Sequence, residues 1–157
     1  MLSELEAKWS MIEGTHGMRN GVIEKLTDAE LNFTPGGNAL TLGELCKEMG
    51  ETERAYTDSI KNYTQNFDYK HADTSVATDL KKLQGWYETL DEEMKAALES
   101  VSEDGLKKMI DRGGFEVPID VQMDIYLQAL LIFLGKATVY LRAMGKPLPE
   151  QIAQWIG

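Results

Sequence analysis

Hydrophobic residues recur along this chain at helical rather than strand spacing. In residues 2–26, Leu5, Trp9, Ile12, His16 and Ile23 follow one another in steps of three, four and seven, which places them on one face of a helix. Gly14, Gly17 and Gly21 lie in the same segment; each weakens a helix intrinsically, so the segment is either held by packing or bends there. Thr27-Asp28 and the stretch from Asn32 to Asn38, with Pro35-Gly36-Gly37, read as a loop. A second helix is expected to open at Thr41, with Glu44 at the capping-box spacing. Its stripe is Leu42, Leu45, Met49, Tyr56, Ile60 and Tyr63, and residues 62–73 form a polar connection.

Residues 75–101 carry the most regular pattern. Val76, Leu80, Leu83, Tyr87, Leu90, Met94, Ala97 and Val101 alternate steps of four and three, a heptad seam suited to a left-handed bundle. Charged residues such as Lys81, Lys82, Glu88, Glu92 and Glu99 occupy the opposite, solvated face. Residues 102–117 break the helical period around Asp104-Gly105 and Asp111-Arg112-Gly113-Gly114. They predict a short β-hairpin with a Gly-rich turn or an irregular crossover. Pro118 then opens a fourth helix as a first-turn proline, and Gly145, Pro147 and Pro149 stop it. Residues 151–156 predict a short terminal helix with Trp155 packing back as an anchor. Four long amphipathic helices without a long strand specify an all-α four-helix bundle, one domain over residues 1–157. Either simple up-down order or crossovers fit these connections.

The fourth helix is apolar nearly all round. Met123, Tyr126, Leu130, Phe133, Ala137 and Leu141 lie on a wide face, while Leu131 points away from its centre and Ile132 lies on the flank. A helix of this kind is central in its domain or partly buried by another chain. The expectation is a homodimer through this helix, with Leu131 at the contact; the alternative is that residues 102–117 or the C-terminal segment cover that side.

Composition narrows the partners. The 157 residues carry 43% hydrophobic and 27% charged side chains, ordinary globular usage. A formal charge of −10 argues against nucleic acid, which needs clustered Lys and Arg, and against docking on an anionic membrane. The N-terminus is acidic and amphipathic rather than a signal peptide. The longest unbroken apolar run, residues 129–134, is far short of the ~20 residues that span a bilayer. With a lone cysteine, Cys46, no intrachain disulfide exists, and a cytoplasmic protein is expected.

Candidate chemistry is sparse. The chain has two histidines, and neither a His-x-x-x-His pair nor a phosphate-cradling glycine loop is present. His71, in a polar connection, reads as a solvated loop residue. His16 sits at the centre of the first apolar face, where a buried imidazole needs partners for both nitrogens. Glu48, on the border of the second stripe, is the candidate partner, either in an acid/base pair or partial metal site, or in an internal hydrogen-bonded pair. Cys46 reads as a small packed residue rather than a nucleophile. Glu44, Glu48 and Glu51 look like half of a carboxylate metal site, but the Glu-x-x-His motifs that would complete it are absent.

Two stretches resemble a known family. Leu26-Thr27-Asp28-Ala29-Glu30-Leu31-Asn32-Phe33-Thr34-Pro35 with Leu40-Thr41-Leu42-Gly43-Glu44-Leu45, and the tail Gly135-Lys136-Ala137-Thr138-Val139-Tyr140-Leu141-Arg142-Ala143-Met144-Gly145-Lys146-Pro147-Leu148-Pro149, are similar to the DinB-like (DinB/YfiT) superfamily. The resemblance implies a four-helix bundle, often dimeric, with a divalent metal held by three histidines, in a family that includes thiol-dependent S-transferases and related metal-dependent enzymes. Its three ligand positions fall here on Glu48, Ala129 and Phe133, with Leu134-Gly135-Lys136 in place of Arg-Gly-Gln. Ala and Phe bind no metal, so the expectation is a divergent member without metal or other cofactor. Its pocket candidates are His16, Glu48, Ala129 and Phe133, open to a small-molecule ligand or a partner, with catalysis disfavoured. The alternative is a divergent S-transferase or metal-dependent hydrolase-like enzyme.

Overall fold

The computed structural model describes residues 1–156. Four long helices make the body: α1 (Ser3–Ile23), α3 (Leu42–Asn62), α4 (Leu80–Glu99) and α6 (Ile119–Ala143). Three short ones, α2 (Asp28–Leu31), α5 (Glu103–Leu106) and α7 (Glu150–Ile156), punctuate the connections, together with a 3₁₀ turn over Thr74–Ala77. The long helices form a ring in which α1 lies against α4 and α6, and α3 lies against the same two. The first and second long helices are therefore diagonal, and the connection between them crosses one end of the bundle. This decides the order that the loop lengths left open.

Local signals account for the ends. Thr41 and Glu44 make the expected capping box, each side chain taking the other's backbone N–H. A second capping box, Thr27 with Glu30, starts α2 within what the sequence pattern presents as loop. Tyr63 closes α3 in the left-handed region (φ 56°), a conformation usually left to Gly or Asn. Despite its three glycines, α1 is one continuous helix. A Cβ at Gly14, Gly17 or Gly21 would meet no atom within 4 Å, so these glycines lie away from close contacts while packing on the opposite face holds the helix. Gly43 is different: a Cβ there would stand 1.8 Å from the Ala77 carbonyl oxygen. The 3₁₀ turn thus sits directly on the α3 backbone.

Residues 102–117 resolve into α5 and a hairpin. Strand β1 (Met109–Asp111) pairs antiparallel with β2 (Glu116–Pro118), Ile110 opposite Val117. Gly113, at φ 79°, supplies the turn. Pro118 ends β2 as the N-cap of α6 rather than entering its first turn. At the other end, Trp155 does not anchor the terminal helix: it is 62% exposed, and Ile152 packs inward instead. The spacing along α7 puts Ile152 on the bundle side and Trp155 away from it.

The heptad seam of α4 is buried as expected, with Leu83, Tyr87, Leu90, Met94 and Ala97 nearly sealed. Helix α6 is long and apolar enough to cross a membrane by length and composition. Here it serves as a core helix, packed on α1 and α3, with Met123, Tyr126, Leu130, Phe133 and Leu141 inside. Its outer side keeps Leu131, Ile132 and Val139 exposed; neither the hairpin nor α7 covers them.

Candidate functional site

Charged side chains meet at the centre of the ring. Continuing the α1 stripe one step beyond His16 brings Arg19 inward, and on α3 the interval between Met49 and Tyr56 brings Glu53 inward. From the flank of the α4 seam comes Asp91. Arg19 and Glu53 are fully buried, and His16 is 3% exposed. Arg19 Nη1 donates to Glu53 Oε2 at 2.5 Å, and Nη2 donates to both Asp91 oxygens at 2.8 and 2.9 Å. The guanidinium also lies 3.9 Å over the Tyr87 ring, a cation–π contact.

His16 completes the cluster. Its Nε2 is 2.8 Å from the Tyr126 hydroxyl, within hydrogen-bond distance, and 3.7 Å from Glu53 Oε1. Its Nδ1 is 2.8 Å from Asp91 Oδ1 but lacks hydrogen-bond alignment. Among the described residues, three buried polar atoms are left without a hydrogen-bond partner: His16 Nδ1, Glu53 Oε1 and Thr57 Oγ1. Each such orphan costs about 1–3 kcal/mol. Of these, His16 Nδ1 faces Asp91, and Glu53 Oε1 lies 3.7 Å from the other nitrogen of the same ring.

Burial and neighbouring charge set the protonation states. Burial lowers His16 below its ordinary value, against the upward pull of Asp91, and so favours a neutral ring. Burial pushes Glu53 up to about 8, outweighing the attraction of Arg19, with Asp91's charge acting in the same direction. For Asp91 burial also opposes ionisation, but the adjacent His16 and Arg19 prevail and hold its carboxyl at about 2. At neutral pH the favoured arrangement is therefore an ionised Asp91 on Arg19, a protonated Glu53 and a neutral imidazole. His16 and Asp91 form the base of a cleft of about 340 Å³ rimmed by Glu13, Asn20, Glu92 and Lys95.

His16 and Glu48 do not meet. Because α1 packs on α4 and α6 rather than on α3, His16 faces Asp91, and Glu48 is exposed on another side of α3. Of the four pocket candidates, Glu48, Ala129 and Phe133 do line one shallow cleft between α3 and α6, about 200 Å³, with Met49 and Lys136. Phe133 is buried there. Neither Ala129 nor Phe133 offers a ligand atom, so the residues present do not fit a divalent metal needing three protein ligands.

The other sequence candidates disperse. Glu44 is used by its cap, and Glu51 is buried between Lys47, Lys70 and the His71 backbone N–H. His71 is less solvated than its polar surroundings imply: its ring stacks on Trp86 at 4.0 Å and its Nδ1 is 3.1 Å from the Tyr69 hydroxyl. Cys46 is fully buried and its thiol is pushed up to about 12 by that burial, which makes it unreactive. Arg19, Glu53 and Asp91 went unremarked in the sequence, although Arg19 and Glu53 carry a readable signal: a charged residue occupying a stripe position on an otherwise apolar helix face.

No family profile and no curated protein matches the sequence. Solved structures do. The DinB-like protein YjoA from Bacillus subtilis superposes with a TM-score of 0.74 at 22% identity, covering 92% of this chain and 96% of that one. YfiT from Bacillus subtilis, described as a probable metal-dependent hydrolase with an unusual four-helix bundle topology, superposes with a TM-score of 0.73 at 14% identity over 94% and 91% of the two chains. Likeness at these identities is a statement about architecture, and on it the chain has the DinB/YfiT four-helix-bundle fold.

Proposed function

We propose that this is a DinB-like protein whose inherited metal position has become a small-ligand cleft, and that it works as a cytoplasmic homodimer. The observation that carries the reading is the joint lining of one cleft by Glu48, Ala129 and Phe133, of which Glu48 alone bears a donor. With two histidines in the chain, a three-histidine site has no residues to build it. An apolar floor of Met49 and Phe133 between the charged Glu48 and Lys136 suits a small ligand with an apolar body and a polar end. The exposed Leu131, Ile132 and Val139 on α6 support a self-association face.

Thermal-shift screening of a fragment library tests the cleft. Hits are expected to lose their effect in Ala129→Trp, which fills the space, and in Phe133→Asp; hits that persist in both variants refute the site. Light scattering tests the dimer, and Ile132→Lys with Val139→Lys is expected to give monomers. A monomeric wild-type mass at micromolar concentration ends that part of the proposal. A second reading, a divergent thiol-dependent S-transferase or metal-dependent hydrolase-like enzyme, draws on the His16–Asp91 pair at the base of an open cleft. Turnover of a thiol co-substrate that disappears in Asp91→Asn would favour it.

A further inference from the structure

The orphaned atoms at the bundle centre point to a ligand that the fold relatives' position does not supply. We propose that His16, Glu53 and Asp91 form a three-ligand site for a divalent transition cation of the zinc class, separate from the Glu48–Ala129–Phe133 cleft. One donor atom from each residue lies within 4.8 Å of the others. They come from three helices, α1, α3 and α4, so the bundle itself holds the spacing. Tetrahedral ligands at zinc distances of about 2.0–2.1 Å stand about 3.3 Å apart. His16 Nδ1 to Asp91 Oδ1, at 2.8 Å, needs only a small outward adjustment to admit an ion.

Two of the three donors lack partners, while the third, Asp91 Oδ1, also accepts from Arg19 Nη2 and would be shared between the guanidinium and the ion. His16 Nδ1 and Glu53 Oε1 are both sealed from solvent and unbonded. The remaining atoms are already engaged in ways that orient these two. Tyr126, 2.8 Å from Nε2, can accept its N–H and so leave the lone pair on Nδ1, the outer-shell arrangement usual for a metal-binding histidine. Arg19 holds Glu53 by Oε2, turning Oε1 away from the guanidinium. One imidazole and two carboxylates match the mixed N/O ligand sets of zinc and its neighbours rather than the all-oxygen sets of calcium or magnesium.

Charge and access agree with this assignment. Cation binding displaces the proton that Glu53 holds at neutral pH; Arg19 then compensates one of the two carboxylates and leaves one negative charge for the ion. The same guanidinium repels a second cation nearby, so the site is weaker than a closed four-ligand structural zinc. Asp91 is 22% exposed in its side chain and lies at the base of the cleft with Glu13, Asn20 and Lys95. That opening provides an entry path and a fourth position for water.

The experiment is a titration of chelator-treated, full-length protein with Zn²⁺ by calorimetry and with Co²⁺ by visible absorption. One equivalent is expected to bind, with a Co²⁺ spectrum of low coordination number. Asp91→Asn, whose residue is partly exposed, removes a ligand and is expected to weaken binding by at least the about 10–100-fold that loss of an outer-shell partner costs; Glu48→Ala is expected to leave it unchanged. In the wild-type protein, nitrogen-15 spectra should show zinc moving His16 Nδ1 rather than Nε2, a readout that depends on no variant folding. No stoichiometric uptake would mean that buried water satisfies the orphans, and would overturn the proposal. So would binding that survives Asp91→Asn or is lost in Glu48→Ala. The ligand cleft of the proposed function stands or falls separately, on the fragment screen.

Discussion

Replacing Arg19 with Met tests whether the charged cluster holds the bundle together. Arg19 is fully buried, bonded to Glu53 at 2.5 Å and to Asp91 at 2.8 and 2.9 Å, and lies over Tyr87. Removing one partner of a buried ion pair costs about 3–5 kcal/mol, because the other charge is left uncompensated. Glu53 already favours its protonated form at neutral pH, with its value up to about 8, and so escapes part of this penalty. That puts the expected loss near the lower end, about 3 kcal/mol. Met keeps part of the contact with the Tyr87 ring through its sulfur. With an m-value of about 2 kcal/mol/M in urea, the midpoint should fall by about 1.5 M. The diagnostic result is the double variant Arg19→Met with Glu53→Met. A buried pair exchanged for apolar groups is often neutral or stabilising, so the double variant should be more stable than Arg19→Met alone. A single variant losing less than about 1 kcal/mol, or a double variant less stable than the single, would refute the reasoning.

Other expectations follow from the same geometry. Glu53's folded value of about 8 lies above its ordinary 4.5, so the folded state holds that proton more tightly and stability should fall as pH rises through this window. Asp91, held at about 2 against 3.8, contributes stability that is present above 3.8 and lost as pH falls through about 2. Urea midpoints measured across pH check both, and Glu53→Gln should flatten the alkaline slope. Gly43→Ala should destabilise by about 3 kcal/mol or more, since its Cβ would meet the Ala77 backbone at 1.8 Å and overpacking against backbone has little room to relax; a wild-type midpoint would contradict this. Cys46 should be inert to a thiol reagent in the native protein and react at once on unfolding, because it is fully buried with its thiol at about 12. Fast native labelling would show that the core opens there.

Much of the architecture was open to reading before any coordinates. Helical spacing in four long segments, the Thr41–Glu44 capping box, the glycine turn at Gly113 and the stop after Ala143 are local effects, encoded within a few residues of where they act. The DinB-like letters around Leu42-Gly43-Glu44 led to the same fold that the solved structures show. Gly43 also gained a cause, the close seat of Ala77 on α3.

What the sequence determined by itself was thus which segments are helices, which of their faces are apolar, and that no three histidines exist to hold a metal. The tertiary structure decided which faces meet. Helical periodicity reports that His16, Arg19 and Glu53 point inward but not which helix each confronts, because that depends on the order of helices around the ring. Placing α1 diagonal to α3 turned His16 from Glu48 towards Asp91 and gathered one cation and two carboxylates, separated by 34 and 72 residues along the chain from Arg19, into a single buried cluster. It also left the outer side of α6 uncovered. Contacts between distant segments arise from packing a whole ring of helices at once, and no local pattern encodes that arrangement.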